Sequence, residues 1–192
     1  MTDDDYERIE SLIGYKFERR DLLQQAFTRK SYTNETNDGD NNEVLEFIGD
    51  KALDFVVVKA LSEYYGEINK RDEFACDLTE GKLTEQKKRF VESAMLAHCI
   101  DELGLQDYLI MGKGDEKNNV QNDTHVKEDL FEAIMGAVAI DSNWDIDALQ
   151  DVAELMLNID HYLEHGFDDE DNYVMLVQQW SQKKYGELPG YA

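Results

Sequence analysis

The only proline in the chain is Pro189, so nothing before it denies the backbone a continuous ladder of helical hydrogen bonds. Along that stretch the apolar residues recur three and four apart instead of alternating, which is the period of a helix and not of a strand. Apolar residues are 42% of the 192 and run through most of the chain. The sequence can therefore bury a core, and its length suits one main domain. An all-α helical bundle is the expected fold.

In the first segment Ile9, Leu12, Ile13 and Phe17 sit at helical spacing, and Gly14 is placed to end a short helix. A second helix is expected from about Arg20. The polar run 34–42 (NETNDGDNN) has no periodicity and reads as a loop whose last residue, Asn42, can cap the next helix. From Glu43 a long helix (EVLEFIGDKALDFVVVKALSEYYG) is apolar on more than one side, the mark of a central element covered by neighbours. Residues 66–77 read as a polar linker. One or two helices are expected over 78–103, ending at Gly104, then a loop over 112–122. Two further helical stretches span about 125–140 and 145–163. No internal repeat is present.

Charge sets a condition on function. With 43 acidic against 19 basic residues the chain carries −24, which disfavours indiscriminate attraction to a polyphosphate. Cys76 and Cys99 have neither metal-ligand spacing nor the density of a disulfide framework, and read as two reduced thiols in a cytoplasmic protein. No apolar run approaches the ~20 residues that cross a bilayer, so no membrane partner is expected.

The acids are not scattered evenly. Glu43, Glu46 and Asp50 are three and four residues apart, so they lie along one face of the long helix. Asp129 and Glu132 repeat that arrangement inside the apolar run DLFEAIMGAVAI, where unpaired carboxylates are costly to bury. If the two helices faced each other, at least four carboxylates would converge, a set of hard oxygen donors suited to Mg2+ or Mn2+. By spacing and composition alone, either cluster reads equally well as a solvated charged face.

The run NNEVLEFIGDKALDFVV at 41–57 closely resembles the signature of the ribonuclease III family. Further stretches fit the family in order: LIGYKF from Leu12, LLQQAFTRKSY from Leu22, EGKLTEQKKRFVES from Glu80, LGLQDYLIMGKGDEK from Leu103 and EDLFEAIMGAVAIDS from Glu128. The resemblance implies a homodimeric endonuclease domain that hydrolyses both strands of double-stranded RNA with a divalent cation, Mg2+ or Mn2+, and no organic cofactor. The products it implies carry 5'-phosphates and short 3' overhangs. It makes Glu46, Asp50, Asp129 and Glu132 the metal-binding set, with Asp50 and Glu132 the catalytic pair. Glu43 and Glu80 are implied as secondary acids that help place the RNA. Phe47 is implied at the dimer interface, whereas composition alone would put a Phe in the core. Lys51 stands where the family usually has a small residue, Arg29 replaces a common His, and the linker before Glu80 is longer than in typical bacterial members.

The expected layout is a nuclease domain over 1–166, an acidic linker over 167–172 and a final segment over 173–192. That last segment, with Asn172 before it (NYVMLVQQWSQKKYGELPGYA), resembles the opening helix and turn of a double-stranded-RNA-binding domain, without the strands and second helix that complete one. Alternatively it is an amphipathic helix packing Leu176 and Trp180 on the core. The rival function is a catalytically silent, ribonuclease III-like RNA-binding or ribosome-associated scaffold, whose mark would be loss of the ligand carboxylates. All of them are retained here.

Overall fold

The first helix is bounded at both ends by short residues. Thr2 and Asp5 form a reciprocal capping box, each side chain accepting the other's backbone N–H at 3.2 and 2.7 Å, and Gly14 ends the helix at φ 71°, a conformation that suits glycine. The structure is a computed structural model and describes residues 1–167. The start of the RNA-binding-type segment, with Leu176 and Trp180, and most of the acidic linker lie outside the described residues.

The described chain runs α1 (Asp3–Ile13), α2 (Arg20–Ala26), α3 (Lys30–Thr36) and α4 (Glu43–Tyr65), then strands β1 (Gly66–Ile68) and β2 (Phe74–Cys76). It continues through α5 (Glu80–Phe90), α6 (Ser93–Leu103), α7 (Lys113–Lys117), α8 (Thr124–Asp141), α9 (Ile146–Leu157) and α10 (Ile159–His165). Single 3-10 turns at Leu105–Tyr108 and Val120–Asn122 flank α7.

The bundle is organised around α4 and α8. Leu45, Ala52, Leu53, Val56, Val57 and Leu61 of α4 are buried, and α8 is buried along almost its whole length from Val126 to Ala139. The two helices lie against each other, and α2, α6 and α9 close around α8. At their crossing each offers a glycine to the other. A Cβ at Gly49 would collide with the Glu132 carbonyl, and one at Gly136 with the Leu45 carbonyl. Glycine inside a helix costs about 1 kcal/mol relative to alanine, and here that cost allows two backbones to touch.

Several expectations need correction. The run 34–42 is not wholly a loop, because α3 continues to Thr36 before Asn37 turns it off at φ 54°. Asn42 makes no capping bond with its side chain; Asn41 Oδ1 accepts the Glu43 N–H at 3.0 Å instead. The linker over 66–77 holds an antiparallel hairpin, Gly66 opposite Cys76 and Ile68 opposite Phe74. Asn69 directs its turn by accepting the N–H groups of Arg71 and Glu73 at 2.8 and 3.2 Å. Three-residue strands are too short to show alternation, which is why helical bookkeeping missed them. The loop over 112–122 contains α7, and the stretch 145–163 is broken at Asn158, whose φ of 54° separates α9 from α10.

Candidate active site

Contact between the α4 and α8 backbones decides where the acids go. Glu46 and Asp50 flank Gly49 in sequence, and Glu132 is the residue whose carbonyl Gly49 meets. The acids that sequence spacing put on one face of each helix therefore share one region. Their electrostatics report it. Burial, then the charges of Asp50, Glu128, Glu46 and Asp129, push the Glu132 carboxyl up to about 8. Burial, followed by Asp129 and Glu43, raises Glu46. Burial also raises Asp129, against the lowering pull of Arg29. Carboxylates held together out of water resist ionising, by desolvation and by mutual repulsion.

Two cations answer this repulsion in part. Lys51 Nζ is 2.6 Å from Asp50 Oδ2. Arg29 is shared, with Nε 3.1 Å from Asp115 Oδ2 and Nη1 3.9 Å from Asp129 Oδ2. Arg29 is in turn built into its place. Its N–H donates to the Ile110 carbonyl at 2.9 Å, and the Ile110 N–H donates to the Phe27 carbonyl at 2.8 Å. Ser31 donates to Asp115 at 2.6 Å and accepts the Gly112 N–H at 3.0 Å. The segment before α3 and the loop before α7 are thereby stitched together beside Asp129.

The remaining expected residues fall as follows. Glu43 neighbours Glu46 but is bonded outward to Lys30 at 2.8 Å. Glu80, in the first turn of α5, accepts at its carboxylate from the Thr84 hydroxyl of its own helix at 3.4 Å. Phe47 is 68% exposed and so is not a core residue of this subunit. With Val44, Phe55 and Val58 it forms an exposed apolar stripe along α4. Glu128, Asp115 and the two glycines were not singled out from the sequence as contributors to this region. Only the glycines left a signal, as poor helix formers inside strong helices.

A family model described as Ribonuclease-III-like matches residues 19–157. The chain belongs to the ribonuclease III family. A curated relative, Ribonuclease 3 of Roseburia hominis, is 51% identical over 98% of this chain and 56% of its own length. Ribonuclease 3 of Treponema succinifaciens is 43% identical over 83% of this chain and 43% of its own length. This ribonuclease III-family chain thus spans about half the length of those relatives. Among solved structures, a nuclease domain of ribonuclease III from Campylobacter jejuni is 27% identical, with a TM-score of 0.64. The match covers 84% of this chain and 97% of that one, whose description includes a region involved in dimer formation.

Among the described residues no group of three or more His, Cys, Asp or Glu side chains is already arranged to hold a metal ion. Lys51 lies on Asp50, and Arg29 lies beside Asp129. No helix among these residues is long and apolar enough to cross a membrane.

Proposed function

We propose that this chain is the nuclease portion of an endoribonuclease that hydrolyses phosphodiester bonds in both strands of double-stranded RNA, acting in the cytoplasm as a homodimer. The observation that supports this reading is the contact of α4 and α8 at Gly49 and Gly136, which brings Glu132 under the charges of Asp50, Glu46 and Asp129 and, with burial, drives it up to about 8. A catalytically silent scaffold would gain nothing from so costly an arrangement, since each carboxylate buried among others disfavours its own ionised form.

The donor set fits a hard divalent cation, Mg2+ or Mn2+, because such ions take several carboxylate oxygens and tolerate retained water. Glu46, Asp50, Asp129 and Glu132 would hold it. When bound, the ion supplies an activated water and charge stabilisation at the phosphate. The protein's own part is to keep these carboxylates together: the α4–α8 crossing sets their spacing and Arg29 steadies Asp129. Glu43 and Glu80 would help place the strand from the edge of the site. Without a cation the −24 charge opposes a polyanion at long range, so local reversal of sign at the centre matters to binding as well.

The dimer reading rests on the exposed α4 stripe, Val44, Phe47, Phe55 and Val58. An apolar face of this kind on a charged chain calls for a partner surface, and two sites related by a twofold axis match the two antiparallel strands of a duplex.

The test is cleavage of a long RNA duplex with Mg2+, beside single-stranded RNA, duplex DNA and a chelator control. Metal-dependent cutting of duplex RNA alone, giving 5'-phosphate ends and short 3' overhangs, is the expected result. Binding without cutting under any divalent cation would favour the scaffold reading.

A further inference from the structure

The hairpin between α4 and α5 has one apolar side, and that side is open. Side chains alternate across a strand, so Gly66, Ile68, Phe74 and Cys76 share one face while Glu67 and Ala75 share the other. Ile68 and Phe74 stand directly opposite each other, 66% and 60% exposed. An isolated two-stranded hairpin is marginal in water, and a hairpin serving only as a solvated connection has no use for an exposed Ile–Phe pair.

Its position gives that face a direction. The Phe74 ring lies over Gly66, where α4 ends, so closely that a Cβ on Gly66 would collide with it. Eleven residues, about three whole helical turns, separate Val44 from Phe55 and again Phe55 from Gly66. The Gly66 Cα, and with it the start of the hairpin, therefore lies on the same side of α4 as the exposed stripe of Val44, Phe47, Phe55 and Val58.

We propose that the Ile68–Phe74 pair prolongs the α4 stripe into one continuous face that docks on a second copy of this chain. The inference rests on the dimer reading above and adds to it a contact made by the lengthened α4–α5 connection. Continuity with the stripe favours a second copy as the occupant. Charge explains why a larger face is needed: two chains of −24 each repel at long range, and more apolar area must leave water to offset that repulsion. The turn also presents Lys70 and Arg71 to solvent, the sign of charge that a strongly acidic copy attracts.

Sedimentation equilibrium of the whole 192-residue chain tests this with Ile68→Ser, Phe74→Ser and the stripe variant Phe55→Ser. Each dimer would lose two buried apolar side chains, so Ile68→Ser and Phe74→Ser are each expected to raise the dimer Kd at least about tenfold. Ile68 is mostly exposed in the single subunit, so its variant should keep the parent circular dichroism and melting temperature, which guards against unfolding as the cause. A dimer weakened by Phe55→Ser and untouched by Ile68→Ser would overturn the hairpin contact and leave the stripe reading standing. An unchanged dimer whose affinity for duplex RNA in Ca2+ had fallen would assign the pair to RNA and overturn the proposal. A parent chain that stays monomeric at every concentration would remove the stripe reading along with it.

Discussion

Arg29 places a guanidinium nitrogen 3.9 Å from the Asp129 carboxylate while its Nε holds Asp115 at 3.1 Å. All three side chains are largely shielded from water, so the contact is screened less than a surface pair. It also puts a positive charge beside a carboxylate proposed to hold a divalent cation. On that proposal the same residue would both order the site and compete for it.

Arg29→Gln separates these two effects. Losing the partly buried bond to Asp115 should cost about 1–2 kcal/mol, a fall of about 2–8 °C in the melting temperature without metal. Mn2+ should then raise the melting temperature by more than it does in the parent chain, because the ion no longer meets a guanidinium. Differential scanning calorimetry across a Mn2+ titration measures both, and identical metal responses in the two proteins would refute the competition.

Asp50→Asn and Glu132→Gln should each lower single-turnover duplex cleavage by about 10³-fold or more, since they remove oxygen donors needed chiefly in the transition state. Helical content should stay at the parent level. Glu132→Gln should also melt no lower than the parent without metal, because a carboxylate raised to about 8 by burial and its acidic neighbours is replaced by a neutral amide of the same shape. Near-normal cleavage by either variant would remove these residues from the catalytic assignment.

Gly49→Ala discriminates packing from propensity by sign. Helix propensity alone predicts a gain of about 1 kcal/mol, whereas the collision of a Cβ with the Glu132 carbonyl predicts a loss of about 3 kcal/mol or more from overpacking. Urea denaturation of Gly49→Ala and Gly136→Ala decides the matter. A stabilised variant would mean that the helices are not held in backbone contact.

Glu154 sets a pH dependence away from the active site. Burial is the largest influence on it and raises it to about 7, with the Asp160 charge adding and the backbone N–H groups of Asp160 and Ile159 opposing. Its folded value lies above its unfolded one, so the folded state holds the proton more tightly and this contribution to stability is lost as pH rises from about 4.5 through 7. Glu154→Gln cannot ionise and should therefore be about 1–2 kcal/mol more stable relative to the parent at pH 8 than at pH 5, a figure reduced for partial exposure. Equal differences at the two pH values would show that Glu154 stays ionised in the fold.

What the sequence determined by itself was everything that repeats along one element. The spacing of Leu45, Leu53, Val56 and Val57 announced a buried helix, and the intervals between Glu46 and Asp50 and between Asp129 and Glu132 put the acids in pairs on single faces, because a helix turns by the same angle whatever surrounds it. The family resemblance singles out those same acids. Tertiary structure decided what depends on two elements at once. That the acidic faces meet follows from Gly49 and Gly136, that Arg29 reaches both Asp115 and Asp129 follows from the stitching of two distant loops, and that Phe47 lies outside the subunit core follows from which side of α4 its neighbours leave bare. The hairpin escaped for a different reason: its two strands are held by pairing with each other, and three residues apiece are too few to leave a period. Period is a property of the local backbone, while burial, pairing and the approach of two helices are fixed only when the whole chain packs.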